Sequence, residues 1–182
     1  MKQVLVPLAP GFEELEAVTI IDLLRRANID VIVAGLQEGA ITGSRGTKIL
    51  PDFPLDEVPD IQFDMIVLPG GQPGADNLRD DPRIHKRLND VTEAGGVTAA
   101  ICAAPKVLAS AGLLQNKTIT SYPGALTGME VDGMRNTGDA VEVDGKVVTS
   151  RGPGTAIQFT LELIELLVGE GVRYQVEEGL QG

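Results

Sequence analysis

The sequence predicts an α/β domain built on an open, mostly parallel sheet with helices on both faces. Three observations carry this. Short runs apolar at successive positions, the mark of strands buried on both sides, alternate with longer segments of helical period. No internal repeat or long linker interrupts the alternation, so residues 1–182 read as a single domain of a length that supports one full core. Three strand ends carry unusual punctuation: Pro10-Gly11-Phe12-Glu13, Pro69-Gly70-Gly71, and Cys102. Open α/β sheets bind ligands outside the carboxyl ends of their strands, so these three converge on one edge.

Each element follows in order. Gln3–Ala9 is a buried strand, broken by Pro10-Gly11, and Glu13 to Asn28 is a helix. Asp30–Leu36 is a second strand. The Gly-, Pro- and Asp-rich stretch from Gly39 to Asp60 suits short strands and turns at an edge. Asp64–Pro69 is a strand ending in Gly70-Gly71. Asp81 to Ala94 is a helix with Ile84, Leu88 and Val91 on one face. Val97–Ile101 is a buried strand, Ala104 to Ala111 a helix stopped by Gly112, and Thr118–Ser121 strand-like. Val141–Ser150 reads as a hairpin turning at Asp144-Gly145. Gly154 to Val168 is a strongly apolar helix, and Val172–Glu178 a short final one.

Composition narrows the function. Lys and Arg total 15 against 26 Asp and Glu, a net charge of -11, which argues against nonspecific binding to nucleic acid or an anionic membrane. One Cys and one His supply neither a disulfide framework nor four soft zinc ligands. The short apolar start, Val4 to Ala9, is interrupted by Pro7 and does not read as a signal peptide. A reduced, cytoplasmic protein is expected. No phosphate loop, metal-ligand spacing or nucleotide fingerprint is present, so no cofactor or metal is expected.

The single cysteine stands at a strand-to-helix junction, Ala99-Ala100-Ile101-Cys102-Ala103-Ala104-Pro105, with Pro105 suited to a first helical turn. The positive end of a helix favours a thiolate there; a free Cys also packs as a small hydrophobe, and both readings stand. Gly70-Gly71 suits either a turn or close backbone approach to a ligand, where its N–H groups and that of Ala103 form an oxyanion site beside Cys102. Glu13, Glu14 and Glu16 suit a helix N-terminus, and spacing leaves open which of them turns inward. A carboxyl group buried at this edge would have a raised pKa and share a proton with the thiol. His85, in Arg83-Ile84-His85-Lys86-Arg87, lies off the apolar face of its helix and reads as solvated, which weakens any Cys–His hydrolase.

Four segments together resemble the DJ-1/PfpI superfamily, and within it the small DJ-1-like branch of bacterial YajL/ThiJ-type proteins: residues 9–16, 67–71, 99–105 and 149–155, in the family's order and spacing over nearly the whole chain. The resemblance implies a flavodoxin-like doubly wound fold, a nucleophile-elbow Cys102, Glu16 as its carboxyl partner, and Gly71 and Ala103 as oxyanion donors. It implies a homodimer, with Arg45 near the pocket across the interface. The helix Glu13–Asn28 suits a dimer, because Leu15, Val18, Ile20, Ile21, Leu23 and Leu24 cover more than one face.

Two departures bear on activity. Ala103 stands where the protease-like branch carries His, which argues against peptidase activity. Tyr122 stands where the DJ-1 type often has His before Pro123, leaving Glu16 as the proton carrier and Tyr122 as a hydrogen-bond donor. The implied activity is a cofactor-independent glyoxalase III or deglycase acting on methylglyoxal, glyoxal and early glycation adducts. The alternative is a non-enzymatic, redox-sensing stress protein that oxidises Cys102 and binds damaged proteins like a chaperone. A Cys hydrolase is the weaker third.

Overall fold

A computed structural model describes all residues, Met1–Gly182. Eleven strands and six α-helices follow one another as β1 (Gln3–Leu8), α1 (Glu14–Arg26), β2 (Asp30–Gly35), β3 (Ile41–Thr42), β4 (Lys48–Ile49), β5 (Phe53–Pro54), β6 (Met65–Leu68), α2 (Gly74–Asp80), α3 (Pro82–Glu93), β7 (Val97–Ile101), α4 (Pro105–Ser110), β8 (Thr118–Ile119), β9 (Arg135–Asn136), β10 (Val141–Asp144), β11 (Val147–Ser150), α5 (Ala156–Val168) and α6 (Glu170–Leu180). The main sheet has seven strands in the order β10-β11-β7-β6-β1-β2-β5. Every neighbouring pair is parallel except β10–β11, and the arrangement is flavodoxin-like. Two small sheets, β3–β4 and β8–β9, lie outside it.

The pleat sorts alternate residues into two cores. Val4, Val6, Leu8, Val67, Ala99 and Ile101 face one way, with Ile20, Leu24, Phe159 and Ile164 of α1 and α5 packed on them. Leu5, Ile66, Leu68 and Ala100 face the other way, with Leu78, Ile84, Leu88 and Val107 of α2, α3 and α4. The apolar runs are unbroken because both faces are covered. On α1, Ile20, Leu23 and Leu24 are buried while Leu15 and Val18 stay half-exposed.

Three details depart from the sequence expectation. Residues 74–80 form a helix, α2, that no apolar period announces; only Gly74, Ala75 and Leu78 are buried in it. The strand β9 was not expected, since both its residues are exposed. The hairpin turns at Gly145-Lys146 rather than Asp144-Gly145, because Asp144 pairs with Val147 and Gly145 takes the left-handed φ of 63°. Asp144 is used elsewhere: its carboxylate accepts from the Thr118 N–H at 2.8 Å and from Lys117 Nζ at 3.2 Å.

Candidate active site

β1, β6 and β7 end side by side in the sheet, and the segments leaving them meet at Cys102. The chain leaves β7 through a tight turn in which the Ala104 N–H donates to the Ile101 carbonyl at 3.0 Å. Cys102 occupies that turn with φ of 64°, a left-handed conformation that costs a side-chain-bearing residue about 1–2 kcal/mol. Its backbone is held on both sides. The Cys102 N–H donates to the Ser150 carbonyl at 2.9 Å, and its carbonyl accepts from the Tyr122 N–H at 2.8 Å. Cys102 is a buried residue, at 8% exposure.

The second wall is the turn after β6. Its two glycines are required for different reasons. A Cβ on Gly70 would stand 2.8 Å from the Cys102 Cβ and 2.9 Å from Glu16 Oε2. Gly71 has φ of 91°, and a Cβ there would overlap the Glu13 N–H. The Pro10-Gly11 turn docks against this segment: the Glu13 N–H donates to the Gly70 carbonyl at 2.9 Å, and the Gly74 N–H to the Gly11 carbonyl at 3.2 Å.

That docking aims the start of α1 and divides its three carboxyl groups. Glu13 caps the helix, accepting from the Leu15 N–H at 3.4 Å. Glu14 ties down the β3–β4 turn, accepting from the Arg45 N–H at 2.7 Å and the Thr47 N–H at 3.2 Å. Burial pulls its pKa upward, but these donors outweigh it and hold Glu14 below the usual range. Glu16 alone turns inward and is fully buried. Its Oε2 accepts from the Gly70 N–H at 2.7 Å, while Oε1 has no partner. Burial, with a smaller contribution from the charge of Glu13, pushes the Glu16 carboxyl up to about 7.

Cys102 and Glu16 meet across Gly70, close enough for each to act on the other's proton. The expectation of a thiolate favoured by the helix N-terminus is corrected here: burial first, and then the Glu16 charge, push the thiol up to about 12. α4 is only six residues long, so its dipole is a weak counterweight. The Gly71 and Ala103 N–H groups act on the sulfur in the opposite direction, favouring the thiolate. The two acids are therefore one unit. Moving the thiol proton onto Glu16 removes the repelling charge and turns the carboxyl into a donor toward sulfur.

The other expected residues fall nearby or elsewhere. The Tyr122 ring lies against Gly152 and is half-exposed. Arg45 is exposed at the β3–β4 turn, and its guanidinium makes no hydrogen bond or ion pair within the chain. His85 is outside the site, with Nε2 2.7 Å from the Arg79 carbonyl at the far end of α2. The largest cavity described, about 750 Å³ and lined in part by Gln3, Arg25, Asp52 and Phe53, opens at the opposite ends of the strands. Sequence reasoning missed Lys106, four residues beyond Cys102 and buried. The available signal was a lysine set within the apolar helix Pro105-Lys106-Val107-Leu108.

Comparison with known proteins finds matches over nearly the whole chain. The model of the DJ-1/PfpI family matches residues 2–166. Protein dj-1beta of Drosophila melanogaster is 44% identical over 181 residues, covering 98% of this chain and 96% of that protein. Its crystal structure superposes with a TM-score of 0.93 at 42% identity, covering 99% and 97% of the two chains. Toxoplasma gondii DJ-1, in a structure described as oxidized, gives a TM-score of 0.93 at 38% identity over 100% and 98%. A Caenorhabditis elegans protein named glutathione-independent glyoxalase DJR-1.2 is 35% identical over 169 residues, covering 92% of this chain and 90% of that protein. The family model, the relatives and the solved structures agree, and the chain belongs to the DJ-1/PfpI family.

Proposed function

We propose that this protein is a cofactor-independent enzyme that uses Cys102 to convert methylglyoxal or glyoxal to the corresponding hydroxy acid, and that reverses early aldehyde adducts with the same thiol. The observation that carries the proposal is the buried Glu16 carboxyl against Cys102, with one oxygen fixed by Gly70 and the other unpartnered. A carboxyl held near neutral pKa beside a thiol is suited to taking and returning a proton. The glyoxalase name of the worm relative supports the same reading.

The chemistry balances without a cofactor. The thiol proton passes to Glu16 as sulfur forms a bond to the aldehyde carbon. The carbonyl π pair moves to oxygen, which the Gly71 and Ala103 N–H groups face. Glu16 returns its proton to that oxygen, giving a hemithioacetal. The Glu16 carboxylate then removes the proton of the former aldehyde carbon; the C–H pair becomes the carbon–carbon double bond and the neighbouring carbonyl π pair moves to its oxygen, giving an enediolate. That oxygen takes the hydroxyl proton of the first carbon, whose oxygen closes to a carbonyl as Glu16 delivers its proton to the adjacent carbon. One carbon is thereby oxidised to a thioester and its neighbour reduced to an alcohol. Water cleaves the thioester, releasing lactate from methylglyoxal or glycolate from glyoxal and restoring the thiol. Tyr122 serves this reaction as a hydrogen-bond donor to a substrate oxygen.

The proposal includes a homodimer across the α1 face that carries Leu15 and Val18, with Arg45 of one protomer reaching the partner's site. The test is lactate formation from methylglyoxal by the reduced protein beside Cys102→Ala. Loss of lactate in the variant is expected; its persistence, or no lactate from the wild type with a free thiol, refutes the proposal. The second reading is a redox sensor in which two equivalents of peroxide, each reduced at its O–O bond, take Cys102 through the sulfenate to a sulfinate held by protonated Glu16. The unpartnered Oε1 favours it, and the Toxoplasma relative is described as oxidized. Chaperone-like binding of damaged proteins belongs to that reading.

A further inference from the structure

Lys106 is unusual in being a buried cation on a helix whose neighbours Pro105, Val107 and Leu108 are apolar and buried. Its ammonium donates to Asp76 Oδ1 on α2 at 3.0 Å. It also donates to the carboxamide oxygen of Gln72 at 2.7 Å, and the Gln72 amide nitrogen donates to Asp76 Oδ2 at 3.0 Å. The two partners fix this carboxamide orientation, the only one that satisfies both its oxygen and its nitrogen. Three side chains thus close a ring of hydrogen bonds. Arg79 adds a second cation to Asp76 Oδ1 at 3.1 Å. A buried ammonium is costly unless paired and hydrogen-bonded, and the ring supplies both conditions.

The location of the ring gives it a consequence for the site. Gln72 follows Gly71 directly, and Lys106 lies three residues after Ala103. The two N–H groups that act on the Cys102 sulfur therefore belong to two different segments, and the ring joins them. The backbone bonds from Glu13 to Gly70 and from Gly74 to Gly11 tie the glycine turn to the α1 side. The ring ties the same turn to the α4 side.

We infer that Lys106, through Gln72 and Asp76, is a positioning residue that sets the Gly71 N–H against the Cys102 sulfur. The inference rests on the reading of that N–H as an oxyanion donor. It is tested by two variants, Lys106→Met and Gln72→Leu. The second breaks the ring without changing any charge, and Gln72 is exposed, so the fold tolerates the change. The titratable groups acting on Cys102 and its partner are Glu16 and, behind it, Glu13, both on or beside α1 and unaltered.

The first readout is the rate of Cys102 alkylation by iodoacetamide across pH, which needs no aldehyde chemistry. Loss of one donor to the thiolate is expected to slow alkylation by roughly tenfold at a pH of about 8 and to displace the profile upward in both variants. The second readout is turnover of methylglyoxal, with kcat expected to fall about tenfold or more and KM to change little. Lys106→Arg is expected to restore most of both. A Gln72→Leu protein with the wild-type alkylation profile overturns the inference, whatever Lys106→Met does. A wild type that alkylates as expected but makes no lactate sinks the glyoxalase reading, and the alkylation profiles still decide the role of the ring.

Discussion

Replacing Glu16 by Gln should stabilise the folded protein at alkaline pH while removing its turnover. The folded-state pKa of Glu16 lies near 7, above its ordinary value of 4.5, so the folded chain binds this proton more tightly than the unfolded chain does. Stability is therefore undiminished below about 4.5 and falls as pH rises through about 7. At about 1.4 kcal/mol per pH unit, the full penalty above that range is about 3 kcal/mol. Roughly 2 to 3 kcal/mol of it develops between about pH 5 and pH 8. A Gln side chain keeps an oxygen for the Gly70 N–H and does not titrate. Any pH-independent cost of its amide cancels when the two pH values are compared. Urea unfolding of both proteins at each pH measures the difference directly. A stability gap between wild type and Glu16→Gln that does not change with pH refutes the claim that this carboxyl is held against its ionisation by burial.

Three further outcomes follow from the same geometry. Turnover of methylglyoxal should rise with pH through about 7, where the Cys102–Glu16 pair loses its first proton, and a wild-type kcat/KM profile that stays flat across that range contradicts it. Gly70→Ala forces a methyl group to 2.8 Å from the Cys102 Cβ and 2.9 Å from Glu16 Oε2, so it should cost about 2 kcal/mol in a denaturant titration and abolish turnover. His85→Ala removes a bond to the Arg79 carbonyl far from the site, so it should cost about 1 kcal/mol in the same titration and leave kcat unchanged.

What the sequence could reveal depended on how much of the signal was local. β1, β2, β6 and β7 are buried on both faces and therefore leave continuous apolar runs that any reader of the sequence can find. Because parallel strands all end at one edge, the punctuation at Gly11, Gly70 and Cys102 pointed to one place before any contact was known. The α2 helix left no such trace, since it opens with Gly74 and buries few side chains. The hairpin turn was displaced by one residue because the Asp144 side chain binds Thr118, a tertiary use that outweighs its local turn preference. The protonation of Cys102 was also out of reach. A helix start is visible in sequence, but the burial of the thiol and the choice of Glu16 over Glu13 and Glu14 are set by how the Pro10-Gly11 turn docks on Gly70-Gly71. Lys106 found its partners across 30 and 34 residues, and only the folded chain brings them together.

The division of labour between sulfur and carboxyl is tested most directly by mixing Glu16→Gln with methylglyoxal and following the protein by intact mass and the solution by proton NMR. The account expects a reversible adduct on Cys102 and no lactate, because the carbon–sulfur bond can form but the proton cannot move between carbons. Lactate released by Glu16→Gln at the wild-type rate would contradict it.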